Sequence, residues 1–165
     1  MEYTQNINSP IGTLTVSSDG TSITGLWIEG QKYFARTLED GALEENLPIF
    51  ESVREWLDIY FSGKRPDFMP PLMPKGSSFQ TSIWDALCKI PYGQTTTYGG
   101  IATEFERTNN GKPTSARAVG SAVGRNPISI LIPCHRVVGK NNDLTGYAGG
   151  LHRKKALLKL EGIVG

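Results

Sequence analysis

Four prolines fall within thirteen residues: Pro66, Pro70, Pro71 and Pro74 lie in the stretch Lys64 to Gly76. Each proline lacks a backbone N–H and fixes its own φ, so the stretch excludes a helix interior and a central strand. It reads as an extended connector over residues 64–76 that divides the chain into 1–75 and 76–165. The full 165 residues suffice for one compact unit or two small packed ones.

The patterning differs on the two sides. Before the connector, Tyr3 to Ile7, Gly12 to Val16 and Ile23 to Ile28 are β-prone, and Ser17-Ser18-Asp19-Gly20 marks a turn. Residues 29–47 are polar and weakly patterned, which predicts loop with some helix. Ile49, Val53, Trp56, Leu57, Tyr60 and Phe61 then recur at helical spacing until Gly63. After the connector, Phe79, Ile83, Trp84 and Leu87 predict a helix capped by Ser77 or Ser78 and ending before Pro91. A second helix, capped by Thr96 or Thr97, runs through about Glu106, and a third, capped by Thr114 or Ser115, through about Arg125. Leu151 to Leu160 makes a last helix, closed by Gly162. The expected class is α+β: a small N-terminal sheet-plus-helix lobe packed on a mainly helical C-terminal lobe that contains a helix-turn-helix.

Charge separates the same two parts. Residues 1–75 hold 6 Lys/Arg against 11 Asp/Glu, a balance of −5, while residues 76–165 hold 11 against 5, a balance of +6. A basic second part suits a polyanionic partner. The two cysteines, Cys88 and Cys134, form no framework and suit a reducing compartment. No apolar run is long enough for a membrane span and no secretory signal opens the chain, so the expected location is the cytoplasm.

The third of the C-terminal helices is nearly bare. Ala116, Ala118, Gly120, Ala122 and Gly124 leave it little side-chain surface, and glycine in a helix costs up to about 1 kcal/mol relative to alanine. Either the helix packs tightly on a neighbour, or it approaches a ligand closely. It lacks the Asn, Gln and multiple Arg that read base edges, and its single Arg117 lies near its start.

The chemistry concentrates in Ile132-Pro133-Cys134-His135-Arg136-Val137-Val138-Gly139. A thiol attacks as the thiolate, and a nearby base or positive charge lowers its pKa, for which His135 and Arg136 are candidates. Cys88, on an apolar helix, reads instead as an inert core residue. Glu161 closes the last helix, where a carboxylate opposes the helix dipole. Either it is a tolerated surface residue, or it holds His135 and completes a Cys-His-Glu relay.

Pro133-Cys134-His135-Arg136-Val137 closely resembles the acceptor motif of the O6-alkylguanine-DNA alkyltransferases. Phe79-Gln80, Trp84, Ile90-Pro91-Tyr92-Gly93, Tyr98-Gly99, Ala116-Arg117-Ala118-Val119-Gly120, Asn126-Pro127-Ile128, Thr145-Gly146-Tyr147-Ala148-Gly149-Gly150 and Leu160-Glu161-Gly162 extend the resemblance, in order, over nearly all of 76–165. In residues 1–75 it rests only on element order and length.

The resemblance implies a protein that flips an O6-alkylguanine out of double-stranded DNA and takes the alkyl group irreversibly onto Cys134. It implies that His135 acts as base through a water and that Glu161 orients it. Tyr98 would protonate or hydrogen-bond guanine N3, and Asn126 would be a hinge. DNA contacts fall on Thr97, Tyr98, Arg117, Ala118, Gly120, Ser121 and Arg125, with Arg117 filling the gap the base leaves. Tyr147, Ala148, Val137 and Cys134 would line the substrate pocket, the carbonyls of Cys134 and Val137 receiving the exocyclic amine. No metal or other cofactor is implied, and the protein is expected to work as a monomer through the minor groove. Whether O4-alkylthymine is also a substrate stays open. Two departures stand out. Ala148 replaces a serine that some members carry, and the turn from Phe105 to Lys112 is long, which adds Arg107 and Lys112 as candidate phosphate contacts. The competing readings are a damage-binding relative without transfer, which lacks the acceptor cysteine, and an unrelated thiol enzyme.

Overall fold

In the computed structural model, which describes residues 1–163, the proline-rich connector is extended and lies along a sheet edge. That sheet has four strands: β1 (Tyr3–Ile7), β2 (Leu14–Ser18), β3 (Ile23–Ile28) and β4 (Leu43–Glu44), in spatial order β3-β2-β1-β4. β1–β2 and β2–β3 are antiparallel, and β4 joins β1 in parallel. The outer edge of β3 is covered twice. Ile23 N donates to Pro71 O and Met73 N to Ile23 O, both at 2.8 Å, while Leu26 N donates to Pro127 O and Ser129 N to Leu26 O, both at 2.9 Å. Covering an edge in this way removes a template for pairing with other chains.

The helix α1 (Pro48–Phe61) starts on a proline at its first position, where a missing N–H costs nothing. It buries Phe50, Val53, Trp56, Leu57 and Tyr60, with Trp56 and Tyr60 stacked at 5.2 Å. On the sheet, Gly25 is required by its neighbour: a Cβ there would lie 2.0 Å from the Trp27 ring. Glu2 is buried and accepts hydrogen bonds from Thr24 and from Lys75 Nζ at 2.7 Å, tying the start of the chain to the end of the connector.

The second compact unit, Gly76–Asn126 and the chain from Ile132, is mainly helical, while Pro127–Leu131 belongs with Met1–Lys75. Its elements are α2 (Ser78–Cys88), β5 (Thr96–Thr97), α3 (Tyr98–Thr108), α4 (Ala116–Gly124), β6 (Val137–Val138) and α5 (Leu151–Leu160). Ser77 and Gln80 form a reciprocal capping box on α2. Thr97 caps α3 and Ser115 caps α4, each through its hydroxyl. α2 packs against both α3 and α4, and Trp84 Nε1 donates to Ala122 O at 2.9 Å.

Three expectations are corrected. The second strand is Leu14–Ser18 rather than 12–16, because Gly12 has φ 119° and belongs to the preceding turn. Residues 29–47 form turns and the short strand β4, with no helix. The third correction concerns Cys88, which is exposed at the end of α2 rather than in the core.

Candidate active site

Tight turns deliver Cys134. Pro133 has φ −82° and ψ 62°, an inverse γ-turn, and Cys134 N donates to Ile132 O at 2.8 Å. Its ring holds φ in this range, so the turn is set by residue type. Cys134, His135 and Arg136 then make one 3-10 turn, closed by Arg136 N donating to Pro133 O at 3.0 Å. The chain leaves through β6, which pairs in parallel with β5. Tyr98 follows β5 directly as the first residue of α3, so a two-residue pairing links it to the strand that leaves the cysteine turn.

Glu161 collects the surrounding donors. His135 Nε2 lies 2.6 Å from Glu161 Oε2. Arg136 donates through Nε to Oε1 at 2.8 Å and through Nη2 to Oε2 at 3.2 Å, and Gly93 N donates to Oε1 at 2.9 Å. Burial alone would raise this carboxyl's pKa, but bonds and charge from His135 and Arg136 with the Gly93 amide outweigh it and hold it at about 2. An ionised carboxylate only accepts, so His135 Nε2 carries the ring proton and Nδ1 is the acceptor nitrogen.

The thiol is not held ionised at rest by its sequence neighbours. Cys134 is 5% exposed, and burial pushes its thiol above the ordinary range, with Asn126 and the charge of Lys154 pulling back only in part. Burial likewise pushes the His135 imidazole below its ordinary range, against the opposing pull of Glu161. Thiol and imidazole are therefore both neutral at rest. Arg136 does not act on the cysteine: its guanidinium is committed to Glu161, to Ile90 O at 2.8 Å and to the face of Tyr92 at 5.7 Å. At Cys88, packing around the thiol and then the Asp85 carboxylate push the pKa up to about 11, although the residue as a whole is exposed.

The other residues singled out by sequence fall in two groups. Asn126 is buried just past α4, donates Nδ2 to Ile132 O at 2.9 Å and hydrogen-bonds the Cys134 thiol, so it joins the end of α4 to the cysteine turn. Val137 is fully buried, and Tyr147 and Ala148 are half-buried on the loop before α5. Thr97 at the cap of α3 is exposed, as are Arg117 and Ser121 on α4 and Arg125 just past it, while Ala118 and Gly120 are partly so. A Cβ on Gly124 would meet nothing within 4 Å, and one on Gly120 would meet only the Tyr98 ring at 3.8 Å. Neither glycine is there for close packing on a neighbouring helix. The turn expected from Phe105 starts later, because α3 continues to Thr108, and Arg107 on its last turn is paired with Glu104 at 2.6 Å. Lys112 is exposed.

Lys154 was missed. It is 1% exposed, and its Nζ donates to Val137 O at 2.5 Å, Thr145 O at 2.7 Å and Gly146 O at 3.4 Å. Burial pulls it down to about 8, so it is still charged at neutral pH. The Val137 carbonyl assigned to a guanine amine thus already accepts from this ammonium. The available signal was positional: Lys154, Leu157, Leu158 and Glu161 lie at i, i+3, i+4 and i+7, the buried stripe of α5. Among the described residues, no three His, Cys, Asp or Glu side chains converge to hold a metal ion, and no helix is long and apolar enough to cross a membrane.

Comparison with known proteins places both parts of the chain. Residues 3–74 match the ribonuclease-like domain, and residues 78–163 the DNA binding domain, of 6-O-methylguanine DNA methyltransferase. The chain is 47% identical over 156 residues to the methylated-DNA–protein-cysteine methyltransferase of Haemophilus influenzae, covering 94% of this chain and 83% of that one. It is 45% identical to the protein of that name from Methanosarcina barkeri, covering 96% of each. It is also similar to the crystal structure of Mycobacterium tuberculosis OGT in complex with DNA, with TM-score 0.83, 40% identity and coverage of 96% and 92%.

Proposed function

Because this chain belongs to the 6-O-methylguanine DNA methyltransferase family, we propose that it repairs alkylated DNA by moving the alkyl group from guanine O6 to Cys134, once per molecule. The observation that carries the assignment is the buried pair at the cysteine turn: His135, which follows Cys134 in the same 3-10 turn, lies with its Nε2 at 2.6 Å from Glu161 Oε2.

The steps balance with the residues of this chain. The Cys134 proton passes through a water to His135, whose imidazolium is stabilised by the Glu161 carboxylate. The sulfur attacks the alkyl carbon in line; the S–C bond forms as the C–O6 bond breaks, and the electron pair passes into the purine. Tyr98 offsets that charge by a hydrogen bond or proton to N3. The proton taken by His135 returns through solvent to the purine, or to Tyr98 where Tyr98 has given its own to N3, so the products are neutral guanine and a thioether on Cys134. A thioether has no good leaving group, so the protein does not turn over, unlike a thiol peptidase whose thioester is cleaved by water. Since thiol and imidazole are both neutral at rest, charge separates only when the substrate is in place.

DNA is the partner, and the damaged nucleotide enters by flipping, at a cost of a few kcal/mol. The bare outer face of α4 suits a minor groove only about 6 Å wide, with Arg117 placed to fill the vacated stack. The protein acts as a monomer in the cytoplasm, a compartment suited to its two free thiols. The test is an equivalence measurement. With a duplex carrying O6-methylguanine in large excess, transfer should plateau at one methyl group per protein. Continued turnover would contradict the proposal, and so would damage binding with no transfer.

A further inference from the structure

We propose that Thr145 is a positioning residue for Tyr98, and that Lys154 holds Thr145 in the place where it can act. This rests on Tyr98 being the group that meets guanine N3. Thr145 Oγ1 donates to Tyr98 Oη at 3.2 Å. A tyrosine hydroxyl has one proton and two lone pairs. By giving its own proton to one lone pair, Thr145 leaves the Tyr98 proton to point elsewhere, toward an acceptor on the substrate. The bond is exposed in the free protein, where such a contact contributes little. A purine seated against Tyr98 would shield it from water and strengthen it.

Thr145 lies on a loop with little regular structure, so something must fix it. Lys154 does so from below: its buried ammonium takes the carbonyls of Val137, Thr145 and Gly146 together. Gly139 closes the loop from the other side, its amide donating to Asp143 O at 2.8 Å and its missing side chain leaving room for Thr145 Cγ2, which would be 3.0 Å from a Cβ there. A charge-assisted anchor on three carbonyls orders the backbone of residue 145, and its hydroxyl carries that order to Tyr98. The same ammonium is one of the charges acting on the Cys134 thiol. Lys154 thereby couples the acid side of the reaction to the nucleophile side without touching the substrate.

The variant Thr145→Val removes the hydroxyl at nearly constant shape, and Thr145→Ser restores it. In single-turnover reactions with a methylated duplex, Thr145→Val should lower the saturating rate about tenfold, the expected scale of one lost hydrogen bond, while leaving the affinity for DNA unchanged. Thr145→Ser should recover most of that loss. In a Tyr98→Phe background, Thr145→Val should have no further effect, since the two residues then act as one unit. Lys154→Met should speed amide hydrogen exchange over residues 139–150 by at least about tenfold and slow transfer as well. A wild-type rate in Thr145→Val would overturn the inference, as would independent, additive losses with Tyr98→Phe or unchanged exchange in Lys154→Met. A wild-type protein that transfers no alkyl group would instead overturn the functional reading on which the inference stands.

Discussion

Glu161 serves two partners that need it differently. His135 needs a carboxylate to carry positive charge during transfer, whereas Arg136 needs one because it is itself buried, at 8% exposure. Substituting the two sites should therefore separate chemistry from stability. His135→Ala removes the base and should slow transfer by at least about a hundredfold with modest loss of stability. Glu161→Gln also strands the Arg136 guanidinium and should cost about 3–5 kcal/mol of stability, the range for breaking a buried pair by removing one partner. Denaturant unfolding and single-turnover rates on the same preparations check both. Equal stability in the two variants would mean that Arg136 is satisfied elsewhere. Arg117→Ala makes a different comparison. It should weaken repair in duplex DNA by about tenfold or more while sparing reaction with free O6-benzylguanine, since a free base needs no filler for its stack. Equal losses on the two substrates would remove that role.

At the scale of elements, α4 offers the sharpest contrast between packing and binding. Gly124→Glu should not disturb the fold, because a Cβ there meets nothing within 4 Å. The gain from losing a helical glycine and the cost of a carboxylate at the C-terminal end of α4 are each a few tenths of a kcal/mol to about 1 and oppose one another, so stability should stay near wild type. The substitution should nevertheless weaken DNA binding, by bringing bulk and negative charge to the face proposed to enter the groove. Unchanged affinity, measured at fixed salt, would place the DNA elsewhere. The capped helices were legible because Ser77, Thr97 and Ser115 are local signals, each satisfied within its own turn. The strand β4 was not, since two residues carry no period and its pairing with β1 comes from distant sequence. Residue identity alone misplaced Cys88, which reads as core until the helix is seen to end there. Lys154 was hidden among Arg153 and Lys155, and its burial depends on carbonyls that only the folded loop supplies. Arg136 lies near Cys134 in sequence, but its guanidinium is taken by Glu161 and the Ile90 carbonyl, partners that lie far from it in sequence.

For the whole molecule, pH acts through the same buried groups. The His135 pKa is depressed in the folded state, so below its ordinary value of 6.5 the unfolded chain binds the proton first and stability declines. The Glu161 pKa is depressed as well, to about 2 from 4.5, so its contribution is complete above 4.5 and is lost as pH falls through 2. Glu2, with its pKa lowered despite burial by Lys75, Thr24 and the Glu39 amide, acts in the same direction in the first unit. Thermal unfolding should therefore move to lower temperature as pH drops below 6.5, and most steeply from 4.5 to 2. A Tm independent of pH across that window would mean that these groups do not titrate as their surroundings require. Binding to undamaged DNA should fall with salt and show little sequence preference, as expected of a +6 C-terminal part whose helix α4 lacks the Asn, Gln and multiple Arg that read base edges.

The most direct test of the account is where the alkyl group ends up. After reaction with a methylated duplex, intact-mass and peptide analysis should find a single increment of about 14 Da, the methyl replacing the thiol proton, on the peptide containing Cys134. Cys88 should stay unmodified although it is the more exposed residue, because packing around its thiol and the Asp85 carboxylate push its pKa up to about 11. Cys134→Ala should bind DNA and accept nothing. An adduct on Cys88, or any adduct that persists in Cys134→Ala, would contradict the assignment of Cys134 as the acceptor.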